Sequence, residues 1–243
     1  MEVLGLRGTS SLQPEWAVQS DLGFEGDVGA GVTWQFAGYD REDRSFVFLP
    51  SSEYRLVGSR LIAPSSTTHF QNAIDGFSRG LEATLQRRSV NGLSGWLAYS
   101  FAHARSQNRV SSETYWSDWD QRHTVNAYAS YRLSAAMSAS TRFRYGSNFP
   151  ATGYWTSRNG LDYVSDVRND LRVPVYSRLD LRVNRVFAWS ETRLTLFVEV
   201  LNAYARANVR FTSGGINGRT TEVTGLFEKM LPRIPSAGFL LEF

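Results

Sequence analysis

Charged side chains alternate with aliphatic ones inside the most apolar runs of this chain, and that order limits its possible folds more than any other feature. From Leu179 the order is Leu, Asp, Leu, Arg, Val, Asn, and from Arg193 it is Arg, Leu, Thr, Leu, Phe, Val, Glu, Val. Successive side chains of a β-strand point to opposite faces. Each run therefore has one aliphatic face and one charged face. The question is which of the two meets oil and which meets water.

Period-two alternation runs through nearly the whole sequence, and helical periodicity is scarce. Nine strands are expected, over 14–25, 28–39, 76–89, 93–104, 121–133, 137–147, 177–187, 192–204 and 233–243. Each is about 10–14 residues long, against about 5–6 for an ordinary strand and about 9–11 for one that crosses a bilayer at a tilt. The connections alternate strictly. Short ones are expected at Gly26-Asp27, Val90 to Gly92, Ser134 to Ala136 and Ala188 to Glu191. Long ones run through 40–75, 105–120, 148–176 and 205–232, rich in Ser, Thr, Asn, Gly, Arg and Asp, and read as solvated. Short and long loops thus lie at opposite ends of the sheet, the layout of an outer-membrane barrel with tight periplasmic turns and long external loops. Soluble meanders keep both ends short.

The faces sort strand by strand. Leu93, Gly95, Leu97, Tyr99 and Phe101 oppose Ser94, Trp96, Ala98 and Ser100; Val125, Ala127, Ala129, Tyr131 and Leu133 oppose Arg122, Thr124, Asn126, Ser130 and Arg132. Leu179, Leu181 and Val183 oppose Arg178, Asp180, Arg182 and Asn184, and Leu194, Leu196, Val198 and Val200 oppose Arg193, Thr195 and Glu199. A soluble sandwich would show the same alternation. Strand length and loop asymmetry argue against it. So do the aromatic pairs near strand ends, Trp34 with Phe36, Tyr99 with Phe101, Phe143 with Tyr145 and Phe187 with Trp189, which form interfacial belts. The aliphatic face is therefore expected against lipid. The charged face, with Arg142, Arg144, Asp180, Arg182 and Glu199, is expected to line a wet lumen and to pair across strands.

The chain has 243 residues with 14% aromatics, a net charge of +3 and no cysteine. Disulfide and thiol chemistry are excluded. The cations are not gathered on one element, so nucleic acid is not an expected partner. The first residues, MEVLGLRGTSS, lack the pattern of a signal peptide. Nine is also an odd count, and closing it would need a parallel pair that single-chain bacterial barrels avoid. Residues 1–13 read as the tail of an external loop. The expectation is the carboxyl-terminal part of a larger barrel, with amino-terminal strands elsewhere. The alternatives are a self-contained small outer-membrane barrel with a structural or adhesive role, using one more strand in 1–13, and a soluble up-and-down ligand-binding barrel.

Several stretches carry a family resemblance. They are GFSRGLEATLQRRSVNGLSGWLAYSFAHARS (76–106), the hairpin with DQRH at 120–123, YSRLDLRVNRVFAW (176–189), RLTLFVEVLNAYARANV (193–209) and LPRIPSAGFLLEF (231–243). Together they resemble the end of a TonB-dependent outer-membrane receptor. The resemblance implies an all-β antiparallel transmembrane barrel of twenty-two strands around a plug domain. It also implies active import of a scarce nutrient such as a ferric siderophore, cobalamin or a glycan, driven by an inner-membrane energy-transducing complex. The plug and the energy-coupling box are not in this sequence. Phe243, with Phe239 and Leu241 on one face, resembles the terminal signal read by the barrel-assembly machinery.

Catalytic chemistry is not expected. His69, His103 and His123 lack metal-ligand spacing, and His123 and Asn126 would point to opposite faces of one strand. The run from Asp40 to Arg44 alternates in sign and reads as solvated. No metal or cofactor is expected. The candidate ligand contacts are aromatic and cationic residues of the long loops, Trp116, Trp119, Tyr154, Trp155, Arg158, Tyr163 and Arg168. Exposed rings stack on sugars or chelates, and guanidinium groups hold anions.

Overall fold

A computed structural model describes residues 9–65 and 67–243. Its strands in chain order are β1 (Trp16–Gly29), β2 (Val32–Phe48), β3 (Arg55–Val57), β4 (Arg60–Ile62), β5 (Gln71–Val90), β6 (Leu93–Asn108), β7 (Thr114–Trp116), β8 (His123–Ser134), β9 (Met137–Gly146), β10 (Trp155–Arg158), β11 (Leu161–Val164), β12 (Tyr176–Trp189), β13 (Thr192–Leu201), β14 (Val209–Phe211), β15 (Gly215–Ile216), β16 (Glu222–Thr224), β17 (Phe227–Lys229) and β18 (Ile234–Glu242). One antiparallel sheet runs β1-β2-β5-β6-β8-β9-β12-β13-β18, with β7 added beside β6. Its path strands correspond to the nine long strands expected, each paired with its neighbour in the chain's order of long strands. Among the described residues β1 and β18 are the free edges. Most of the 1–13 tail, where a tenth strand would lie, falls outside the described residues.

Between the bulges near the strand ends, the register keeps the two faces apart along the ladders. Leu181 stands opposite Val200 and Val183 opposite Val198, while Arg182 stands opposite Glu199. Leu97 lies between Leu85 and Ala127, and Tyr99 between Ala83 and Val125. The aliphatic face is bare: Leu81, Leu85, Leu97, Leu181, Leu196 and Val198 are all exposed. In water such a surface would drive aggregation; in a bilayer it is solvated by acyl chains. On β5 the outward positions read Arg79, Leu81, Ala83, Leu85, Arg87. The two arginines bracket a stretch rising about 27 Å along the strand, or about 20 Å in height at a tilt of about 40°, close to the apolar band of an outer-membrane barrel.

The inward face is polar and locally paired. Arg178 and Asp180 meet at 2.7 Å along β12, Arg182 and Glu199 at 3.4 Å across β12 and β13, and Ser236 donates to Glu199 at 2.9 Å. Phe197 also points inward, under the Arg182 guanidinium at 3.8 Å. It fits because its partner across the ladder is Gly238, where a Cβ would come within 2.6 Å of the ring.

Two boundaries differ from the sequence reading. The first turn lies at Ala30-Gly31, both with positive φ, and not at Gly26-Asp27. Gly26 sits inside the ladder opposite Trp34, and a Cβ there would come within 2.8 Å of the indole. The glycine seats a tryptophan, and the chain turns four residues later. The 40–75 connection is also shorter than expected, because β2 continues to Phe48 and β5 begins at Gln71. Charges at Asp40, Glu42 and Arg44 break the apolar alternation, but β2 stays paired with β5 beyond a bulge between Asp43 and Phe46. The sheet rises past the membrane there, and those charges pair along its outer surface.

The long loops are not loose. Ala151, Trp155, Val164, Val173, Val223 and Leu226 form a buried cluster, backed by Leu56, Leu61, Phe211 and Phe227. A small sheet in the order β10-β11-β16-β15 ties the 147–175 loop to the 202–233 loop, and Leu56 N–H donates to Ser165 O at 2.8 Å to bring in the β3-β4 hairpin. The loops therefore make a cap with its own apolar core at the external end of the sheet.

Candidate functional site

The functional candidates gather where the inner face of the sheet meets this cap. Tyr115 on β7 pairs with Ser106 on β6 and so faces inward, and Asp43 on β2 and Gly76 on β5 continue the same row. From above, the turn 117–120 and the segment around Arg168 close over them. The resulting cavity of about 320 Å³ is lined by Asp43, Ser106, Tyr115, Asp118, Trp119 and Arg168. A second hollow of about 540 Å³ lies lower on the inner wall, beside Trp96, Tyr128, Arg142, Asp180, Arg182 and Glu199.

Arg168 is the keystone of the upper cavity. It is only 7% exposed, and its guanidinium binds both Glu53 oxygens at 3.2 Å and Asp118 at 2.9 Å while lying 4.8 Å from the Tyr115 ring. Its N–H donates to Glu113, whose other oxygen accepts from the Tyr154 hydroxyl at 3.0 Å. Asn169, fully buried, donates to Trp116 O and to Asp118. Burial alone would lower the Arg168 pKa, but Glu53 and then Asp118 more than offset it and hold the group firmly charged. Burial pushes the Tyr115 hydroxyl up to about 12, and burial with the neighbouring Glu113 pushes Tyr154 up to about 12.

Asp120 is the second knot. Its carboxylate is completely buried and accepts from Ala104 N–H at 2.9 Å, from Arg122 at 3.0 Å and from Arg172 at 2.7 Å. Burial pushes its pKa up, and the Ala104 N–H, Arg172 and Arg122 together outweigh that and hold it below the usual carboxylate value.

The structure distributes the seven sequence-picked residues over four places. Trp119 is 85% exposed and stands at the cavity, where Arg168 is a wall already saturated by carboxylates. Tyr154 and Trp155 are buried in the cap, with Trp155 Nε1 donating to Thr152 O. Arg158 and Tyr163 belong to the β10-β11 hairpin, the first exposed near its tip and the second half-buried between Thr156 and Glu222. Trp116 faces outward beside Arg105. Asp118, Glu53 and Glu113 did not stand out in the sequence, because acidic loop residues look alike until a buried arginine selects some of them, and Tyr115 is known to face inward only from its pairing with Ser106. His123 and Asn126 do fall on opposite faces, next to Phe101 and Ala98 respectively. Among the described residues no three His, Cys, Asp or Glu side chains converge as a metal site.

The sequence profile of the family described as "TonB dependent receptor-like, beta-barrel" matches residues 4–203. The chain belongs to the TonB-dependent receptor family. It is thus a β-barrel segment of the outer membrane of Gram-negative bacteria, from a family of transporters and not of enzymes. No curated protein matches it in sequence. Among solved structures it is similar to the FrpB iron transporter from Neisseria meningitidis, with TM-score 0.63 and 13% identity over 97% of this chain and 31% of that one. It is also similar to the ferric citrate transporter FecA, with TM-score 0.62 and 14% identity over 93% and 31%. A third is BauA, the ferric preacinetobactin receptor from Acinetobacter baumannii, with TM-score 0.60 and 13% identity over 93% and 29%. The chain thus spans less than a third of the length of these receptors. Together with the bare aliphatic band, the family excludes the soluble-barrel alternative.

Proposed function

We propose that this chain is the carboxyl-terminal wall of a larger barrel that imports a scarce nutrient, and that its loop cap forms part of the external ligand mouth. The single observation that supports the reading best is the open sheet with every long loop at one end. Such a wall separates lipid from an aqueous bore and needs further strands to enclose it. In this reading a plug domain and amino-terminal strands occupy the bore and the missing arc. An inner-membrane energy-transducing complex acts through that amino-terminal part. Phe239 and Leu241 on the outward face of β18, with Phe243 just beyond its end, present the terminal signal to the barrel-assembly machinery.

The nutrient belongs to the siderophore, cobalamin or glycan class. Structural neighbours described as iron, ferric citrate and ferric preacinetobactin transporters or receptors favour a ferric chelate. Trp119 is the ring best placed to stack on it, because it is exposed at the inner cavity while Tyr154 and Trp155 are used by the cap. The test is uptake of a panel of radiolabelled ferric chelates, cobalamin and oligosaccharides by cells carrying the intact polypeptide, with and without Trp119→Ala. Energy-dependent uptake of one class, weakened by the substitution at unchanged surface level, supports the reading. Transport of none, or uptake indifferent to the inner-membrane proton gradient, refutes it.

A further inference from the structure

Beside the Arg168 knot, where the upper ends of β2, β5 and β6 meet the segment that enters β3, the cap encloses a further cavity of about 200 Å³. Ala73, Asn108 and Tyr154 are buried at its floor, while Gln71, Ser52 and Val110 are exposed at its opening. Phe48 and Pro50 give it an apolar wall, and Arg55, the first residue of β3, lines it as well. Its frame is tied by hydrogen bonds. Asn108 Oδ1 accepts the Val110 and Ser111 N–H groups at 2.9 and 3.2 Å, and the Thr68 hydroxyl donates to Pro50 O at 2.6 Å. The shape is therefore set before any guest arrives.

The polar groups around this space are rich in donors and short of acceptors. Among the described residues no carboxylate pairs with Arg55, and its Nε is buried without a hydrogen-bond acceptor. Glu53, the acid in the same wall, gives both oxygens to Arg168, and Glu113 is taken by the Tyr154 hydroxyl and the Arg168 N–H. With its Oδ1 occupied by two backbone N–H groups, Asn108 has its amide donors left to offer. The Gln71 amide and the Ser51 and Ser52 hydroxyls line the same space. A half-buried guanidinium without an anion is unfavourable, and a guest with one negative charge removes that cost. One surplus cation selects a monoanion over a phosphate group, which carries about two charges at neutral pH. The planar fork of Arg55 and the flat amides of Gln71 and Asn108 match a carboxylate. The volume lies below the about 300–1,000 Å³ of pockets that enclose a whole drug-sized ligand, so it suits a small acid or the acid arm of a larger molecule.

We propose that this cavity binds a carboxylate, with Arg55 as its counter-ion, the Gln71 and Asn108 amides as further donors, and Phe48, Pro50 and Val110 against the apolar body of the guest. The site is separate from the exposed Trp119 ring, and its occupancy is measured as binding, with no reference to what the receptor imports. The test uses the intact polypeptide carrying this segment, in detergent, titrated calorimetrically with benzoate, benzamide, inorganic phosphate and a benzoate that bears a polyethylene glycol chain. Benzoate should bind at least about tenfold more tightly than its neutral isostere benzamide and than phosphate. R55Q should erase most of that difference, Arg55→Lys should keep part of it, and Arg219→Gln, exposed in the 202–233 loop, should leave it whole. The Ser65 amide, bonded to Ser51 O, should exchange more slowly with benzoate than with benzamide. Equal binding of the chain-bearing acid assigns the site to the arm of a larger molecule, and binding of the free acid alone assigns it to a small acid; both support the proposal. Equal binding of benzoate and benzamide, binding of neither, or a preference for phosphate overturns it, as does full benzoate affinity in a folded R55Q variant. If R55Q fails to fold, the comparison of benzoate with benzamide on the native protein decides alone.

Discussion

Replacing Arg168 by Met tests whether the cap is held by one buried cation. The thioether chain fills most of the volume of the arginine stem, so packing against Tyr115 changes little. What is lost is charge, and with it both bonds to Glu53 and the bond to Asp118. Breaking a buried ion pair by removing one partner costs about 3–5 kcal/mol when the survivor stays dry. Here the survivors recover some water, since Glu53 and Asp118 are 25% and 34% exposed. A cost of about 2–3 kcal/mol follows, equivalent to a roughly 30- to 150-fold rise in local opening. Hydrogen exchange in detergent or nanodiscs reads this directly. The Ser165 and Asn169 amides, bonded to Tyr154 O and Gly153 O, should exchange faster by that factor. Amides of the β12-β13 ladder should not change. Unchanged exchange at Ser165 and Asn169 would refute the keystone role, and loss of protection throughout the sheet would show that cap and sheet do not open separately.

Other expectations concern the sheet and the titrating groups. Leu181→Arg should destabilise the protein in lipid by about 2–4 kcal/mol, while Thr195→Arg on the inner face should cost under about 1 kcal/mol, as measured by urea unfolding in vesicles. Asn202 is buried and ties Arg206 and Leu231 to the end of β13, so Asn202→Ala should cost about 1–3 kcal/mol and loosen the 202–233 loop, seen as protease cleavage there. Asp120 has a lowered pKa in the folded state, so its contribution is present above the ordinary carboxylate value and is lost as pH falls through the folded one. The cap should therefore loosen below about pH 4, and Asp120→Asn should weaken that dependence, monitored by Trp fluorescence. Tyr115 and Tyr154 titrate at about 12 when folded, so their contribution is whole below about pH 10 and is lost by about pH 12. Tyr154→Phe should shrink that alkaline transition.

The sheet was legible because a bilayer imposes period two on every strand at once. Leu179 to Val183 and Leu194 to Val200 declared their faces without reference to any partner. The first turn was misread because Gly26-Asp27 has turn chemistry, and only the Trp34 ring across the ladder explains the glycine. The cap was hidden for a different reason. Its core residues stand singly among Ser, Thr and Gly in three separate loops, and no periodicity links Leu56 to Val164 or Leu226. Trp116 and Trp119 differ by three positions and look equivalent as sequence. β7 turns the first toward the membrane, whereas the next turn lifts the second to the bore.

Because Leu226, Val164 and Leu56 bury one another from different loops, the rim of this barrel is a shared solid and not a fringe of independent fingers. Exchanging one loop with that of a relative would strip neighbours of their packing. New binding preferences at this entrance must therefore arise by concerted change in several loops, or at outlying positions such as Trp119 that the nucleus does not enlist.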